Sequence, residues 1–194
     1  MTWLPRLIQE IRNRHPSVIV GPEVDASGRL IERLRAGSLD LVVCPDSFRS
    51  DDLDALALDS VEYAWMCSPG YPVGTTELTL KDLARHTVIV QEHASGLGDL
   101  VQRWLADHGV AIPSMITSSN LTALEALALS GLGISYLPRR ALSHLVASGR
   151  LNIINSRPAL PRIPYVCMTR KSSDDDFLRF VAETAMTVCD FSAR

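Results

Sequence analysis

Ser118–Arg139, SSNLTALEALALSGLGISYLPR, decides how this chain is read. Ser118, Ser119 and Asn120 are residue types that open helices, because a short side-chain oxygen accepts from an orphan first-turn N–H. Leu121, Leu124, Ala128 and Leu129 recur at helical spacing, with Leu127 widening the apolar stripe. Gly131 and Gly133 break that period, as glycine does just past a helix end. Ile134–Leu137 then reads as a short buried strand, and Pro138 suits the first turn of another helix. The unit is a polar cap, a helix, a glycine turn, a strand and a proline.

Outward from this unit the alternation of helix and strand continues in both directions. Upstream, Leu4, Leu7, Ile8 and Ile11 predict a helix from Thr2 to Arg14, with Pro5 in its first turn. His15-Pro16 ends it, and β-branched Val18-Ile19-Val20 predicts a strand over 17–20. A helix over 28–36 closes near Gly37, and 39–44 reads as a buried strand of the parallel type. Strands over 56–58, 61–67, 87–91 and 111–117 follow, with helices over 79–84 and 98–108 between them. Downstream, 138–147 reads as helix and 151–155 and 164–169 as strands, and Asp174-Asp175-Asp176 open a last helix whose core face is Phe177, Phe180, Val181, Ala185 and Val188. Strands alternating with helices predict an α/β fold with parallel sheets and right-handed crossovers.

In open α/β sheets, ligands sit beyond the carboxyl ends of strands and against helix N-termini. Three junctions carry suitable small polar residues: Thr2 at the first helix, His93-Ala94-Ser95-Gly96 after the 87–91 strand, and Ser118-Ser119-Asn120 after the 111–117 strand. Each offers free N–H groups and a hydroxyl or amide, which suits a carboxylate. The same residues also serve as plain helix caps with no ligand. Cys44, Pro45 and Gln91 end strands, His93 is either a ligand contact or a solvated loop residue, and Tyr136 reaches either a crevice or the core.

The 194 residues are 46% hydrophobic and 21% charged, the balance of a soluble globular protein. A net charge of −3 argues against a phosphate-gripping surface on this stretch. There is no apolar run long enough to span a membrane and no secretory signal pattern. The 4 cysteines are widely spaced and three lie in apolar segments, so buried thiols of a cytoplasmic protein are expected rather than disulfides or a metal site. No Gly-x-Ser-x-Gly, His-Glu-x-x-His or phosphate-loop motif is present, and the Asp174–Asp176 run reads as a helix cap. No catalytic residue, cofactor or metal ligand is assigned.

Ser-Asn, an apolar helix and "SGLGISYLPRRAL" together resemble the effector-binding domain of LysR-type bacterial transcription regulators. "TWLPRLIQEIRNRHPSVIV" (2–20) and "LIERLRAGSLDLVV" (30–43) resemble that domain's first helix with second strand, and its next helix with strand. The resemblance implies two Rossmann-like lobes with two crossovers, like a type 2 periplasmic binding protein. Lobe one would hold residues 1–68 and 157–194, and lobe two residues 69–156. It also implies a small effector, an organic acid or other metabolite, held between the lobes by Thr2, Cys44, Pro45, Gln91, His93, Ser95, Gly96, Ser119, Asn120 and Tyr136. It implies a homodimer formed through the first two helices, with DNA bound by a winged helix-turn-helix domain outside this chain. A free-standing solute-binding protein of a transporter and a cytoplasmic enzyme on a related scaffold are the alternative readings. One departure stands out: the family places a strand before the first helix, whereas Met1 directly precedes it here, so the first strand of lobe one is expected to be missing. The gap would then be closed by 18–20 meeting 41–44, filled by a partner's segment, or left as a looser lobe.

Overall fold

The computed structural model describes residues 3–75, 77–92, 95–171, 175–189 and 191. In chain order its elements are α1 (Leu4–Arg14), α2 (Ser27–Arg35), β1 (Val42–Pro45), β2 (Leu53–Val61), β3 (Tyr63–Cys67), β4 (Glu77–Thr79), α3 (Leu80–Leu83), β5 (Val88–Gln91) and α4 (Gly96–Asp107). They continue as β6 (Met115–Ser118), α5 (Leu121–Leu129), β7 (Ile134–Pro138), α6 (Ser143–Ala147), β8 (Asn152–Arg157), β9 (Ile163–Arg170) and α7 (Asp176–Val188). The chain divides into two compact units, Met1–Val61 with Ile163–Arg194, and Glu62–Arg162. Among the described residues no helix is long and apolar enough to cross a membrane.

In the first unit β9 lies between β1 and β2 and pairs antiparallel with both. One face of this sheet packs Val42, Cys44, Leu53, Val166 and Met168 against Ile31 and Leu34 of α2. A second cluster joins Leu7 and Ile11 of α1 to Val181 and Ala185 of α7. Arg170 ties α2 to the sheet by donating from Nη1 to the carbonyls of Leu34 (2.9 Å) and Leu39 (2.7 Å). One carbonyl in the last turn of α2 and one just beyond it thereby gain a charged donor.

Two expectations fail here. The 39–44 strand was expected to be parallel; β1 is antiparallel to its neighbour because its partner is the distant β9 rather than the next strand in sequence. No strand forms at 17–20. Val18 and Val20 are half-buried against the α1–α7 cluster, while Ile19 is 96% exposed. β-branched residues favour a strand only when a neighbour supplies the ladder, and among the described residues none pairs with this segment. Nor do 18–20 and 41–44 close on each other, since among the described residues β1 pairs with β9 alone.

The second unit holds a sheet of order β4-β8-β3-β7-β5-β6. β5 is parallel to both β6 and β7, and β4 to β8, while β3 is antiparallel to β7 and β8. Met66, Ile89 and Leu137 of the sheet pack with Leu124 and Ala128 of α5 and Leu145 of α6. The strand alternation puts Trp65, Tyr136 and Val88 on the opposite face. α5 ends as glycine dictates: at Gly131 φ is +74°, and Leu132 N–H reaches back to Leu127 O (3.2 Å) while Gly131 N–H reaches Ala128 O (3.1 Å). The helix expected over 138–147 shrinks to α6, because Pro138 is the last residue of β7, paired with Tyr63, rather than the start of a helix. The strand expected over 111–117 is the shorter β6.

All four cysteines are buried and none is in a disulfide. Burial, with the Asp46 charge adding to it, pushes the Cys44 thiol up to about 12. Burial likewise lifts Cys167 to about 12 and Cys67 to about 11.

Candidate functional site

β5, β6 and β7 run in one direction, so their carboxyl ends share one edge of the second unit. Gln91, the last residue of β5, pairs with Ser118, the last of β6, and Glu92 N–H continues the contact to Ser118 O at 3.2 Å. Each strand end then hands the chain to a helix. Ser95 caps α4: Gly98 N–H donates to Ser95 Oγ at 3.0 Å, and the Ser95 hydroxyl donates to Gln91 Oε1 at 3.0 Å. That second bond fixes the Gln91 amide by its oxygen. Asn120 caps α5: Thr122 N–H donates to Asn120 Oδ1 at 2.8 Å, while Asn120 N–H donates to Ser118 Oγ at 3.3 Å. Ser119 lies exposed between them.

A cap satisfies only part of a helix's first turn. Among the described residues, the N–H groups of Gly96 and Leu97 in α4, and of Leu121 and Ala123 in α5, have no acceptor. Four donors and two helix N-termini thus accompany two adjacent strand ends, an arrangement that attracts carboxylates and other anions. Asp99, in the first turn of α4, is paired with Arg103 at 2.5 Å.

Tyr136 belongs to the same edge and is fully buried. The β5–β7 ladder covers only Val88 with Ile134 and Ile89 with Ser135. Beyond it, side chains replace backbone: Ser135 Oγ donates to Ile89 O at 2.9 Å, and Gln91 N–H donates to Tyr136 Oη at 3.1 Å. Burial pushes the Tyr136 phenol up to about 12, only partly offset by the Gln91 N–H, so it stays neutral and serves as a hydrogen-bonding group. Trp65 stands edge-on to it at 5.6 Å, and its buried Nε1–H has no acceptor among the described residues. Replacing Tyr136 with phenylalanine strands a half-buried N–H at Gln91 and is expected to cost about 1–3 kcal/mol in denaturant unfolding. An unchanged midpoint would show that the Gln91 N–H is met some other way.

Gly98 was not among the residues the sequence singled out, yet it sets the geometry. A Cβ there would lie 2.5 Å from both Gln91 O and Glu92 O, so α4 begins backbone-to-backbone against the end of β5. The available signal was a second glycine inside a first helical turn, where glycine otherwise only weakens a helix.

The structure therefore gathers Gln91, Ser95, Gly96, Ser119, Asn120 and Tyr136 on one edge of the second unit. Cys44 and Pro45 end β1 in the first unit, where the Cys44 side chain packs into the α2 cluster. Thr2 and His93 lie outside the described residues.

Comparison with known proteins bears on this architecture. A family model described as LysR substrate binding domain matches residues 1–185. The HTH-type transcriptional regulator PecT of Dickeya dadantii is 25% identical over 170 residues, which is 86% of this chain and 49% of that protein. The chain thus spans about half the length of that curated relative. The effector binding domain of QuiR in complex with shikimate superposes with a TM-score of 0.82 at 18% identity, covering 95% of this chain and 88% of that one. The regulatory domain of Synechocystis PCC6803 CcmR in complex with 2-PG gives 0.81 at 18% identity, covering 96% and 90%. At such identities the two structures speak for the fold. With helix caps at parallel strand ends and a family match running through nearly all of its length, this chain belongs to the LysR substrate-binding domain family.

Proposed function

We propose that this chain is the small-molecule sensor of a LysR-type transcription regulator and receives an acidic effector on the strand-end edge of its second unit. The carrying observation is the pair of capped helix N-termini, α4 and α5, that follow adjacent parallel strands with four first-turn N–H groups left without an acceptor among the described residues. QuiR and CcmR, which share the fold, are seen with small molecules, shikimate and 2-PG, and this supports an effector of similar size. The edge is suited to holding a ligand rather than to reacting with it: Tyr136 is a neutral phenol, and Ser95 is committed to Gln91 and Gly98. The whole regulator acts in the cytoplasm as a homodimer and contacts DNA through another part of the protein, in keeping with relatives about twice as long and with the −3 charge of this stretch. The effector works through differential affinity for two arrangements of the regulator; one binding both equally would shift nothing.

Calorimetry against a panel of organic acids tests this reading. A Ser95→Ala, Asn120→Ala double variant is expected to bind the best acid at least about ten-fold more weakly, equivalent to about 1.4 kcal/mol. Affinity unchanged in the double variant overturns the assignment.

A further inference from the structure

Two neighbouring side chains of the second unit bury hydrogen-bond donors that no described residue takes up. Trp65 is 1% exposed, and its indole Nε1–H has no acceptor among the described residues. An indole nitrogen can only donate. Tyr136 is fully buried; its Oη accepts from Gln91 N–H at 3.1 Å, and its own proton has no acceptor among the described residues. Buried polar groups in folded proteins are nearly always paired, so an unmet one calls for a partner from outside the chain.

The two donors lie together, close to the strand-end edge. Trp65 stands opposite Tyr136 in the β3–β7 ladder, two residues in from the Tyr63–Pro138 pair at which β7 ends. Their rings meet edge-on, with centroids 5.6 Å apart at 84°. The Tyr136 hydroxyl in turn holds the N–H of Gln91, whose side-chain oxygen accepts from the Ser95 hydroxyl. Since Ser95 caps α4, direct contacts run from the Trp65 ring through Tyr136 and Gln91 to a helix N-terminus.

The atom that fits here is narrowly defined. Two donors want a lone pair, such as the oxygen of a ketone or an alcohol. A carboxylate does not suit the spot, because the burial that lifts the Tyr136 phenol to about 12 opposes any negative charge beside it. Trp65 Nε1 is shut from solvent, so a ligand reaches it by parting the two rings. That gives up an edge-on ring contact, which is worth less than an unmet buried N–H costs.

We propose that Trp65 and Tyr136 form the inner end of the effector site and that the effector is an oxygenated acid. Its carboxylate stays at the starts of α4 and α5, and a neutral ketone or hydroxyl oxygen accepts from Trp65 Nε1–H and Tyr136 Oη–H. This rests on the strand-end reading and adds the ligand's second anchor. A site built to hydrogen-bond an oxygen strongly rejects analogues that lack it, because its own buried groups are then left unpaired.

The test is NMR of the isotope-labelled chain titrated with two matched pairs of acids, levulinate against pentanoate and acetoacetate against butanoate. The Trp65 indole signal, assigned by its contacts to the Tyr136 ring, is read in the parent chain beside those of Trp3 and Trp104. In at least one pair the keto acid is expected to bind at least about ten-fold more tightly than its parent. It should move the Trp65 indole proton downfield, the direction of hydrogen-bond formation, and leave the other two in place. In Trp65→Phe the preference for the keto acid should fall to within about two-fold. If no acid moves the Gly96 and Leu97 amides, the strand-end reading fails and this inference with it. If acids move those amides while the Trp65 indole stays put, or if the keto preference is absent or survives in Trp65→Phe, this inference alone is overturned.

Discussion

Alanine at position 98 will destabilise the second unit by about 1–3 kcal/mol, the range for forcing a methyl into a packed site. The direction is informative, because glycine-to-alanine in a helix ordinarily stabilises by about 0.4–1 kcal/mol. Here the new carbon would sit 2.5 Å from two backbone carbonyl oxygens, Gln91 O and Glu92 O, which cannot swing aside as a side-chain tip can. α4 must retreat from the strand end and carry the Gly96 and Leu97 N–H groups with it. Acid binding should therefore fall further than stability does. At roughly 2–4 °C per kcal/mol for a chain of this size, the melting temperature should drop by about 2–12 °C. Gly21→Ala is the matched control, since nothing lies within 4 Å of a Cβ there. A Gly98→Ala protein that melts no lower than its parent would show that α4 does not start against β5 as described.

Leu124→Ala will be costlier still, about 2–5 kcal/mol, from lost transfer free energy together with the cavity left behind. Leu124 is fully buried and packs in the cluster of Met66, Ile89 and Leu137 under the same helix that Asn120 caps. Leu121, one turn earlier and 37% exposed, is the comparison: its alanine variant should lose well under half as much. Chemical denaturation of the two variants side by side measures the difference, and near-equal losses would contradict the packing of α5.

The parts of the fold legible in the sequence are those set by local chemistry. The stripe from Leu121 to Leu129, the Asn120 cap and the glycine stop at Gly131 all stand where the spacing put them. The clustering of Gln91, Ser95, Gly96, Ser119 and Asn120 was also visible, because each sits at a strand-to-helix junction. What the sequence hid is non-local. β9 enters the first unit's sheet between β1 and β2 from more than a hundred residues downstream, and no pattern within β1 announces an antiparallel partner. The Tyr136 hydroxyl reaches Gln91 across 45 residues, settling as buried a side chain that its position alone left open. Val18-Ile19-Val20 misled for the converse reason: strong β-propensity expresses a preference that only a neighbouring strand can realise.

That unrealised strand has a practical consequence for handling the protein. Ser17–Gly21 is short, β-branched at its centre and free of charge, and Ile19 projects almost wholly into water. An exposed β-branched, uncharged stretch is the hazard that edge strands bring to concentrated solutions. Losses on storage should therefore begin by self-association through this segment, from molecules that are still folded. The remedy is a single gatekeeping charge such as Ile19→Lys, placed where it disturbs no packing.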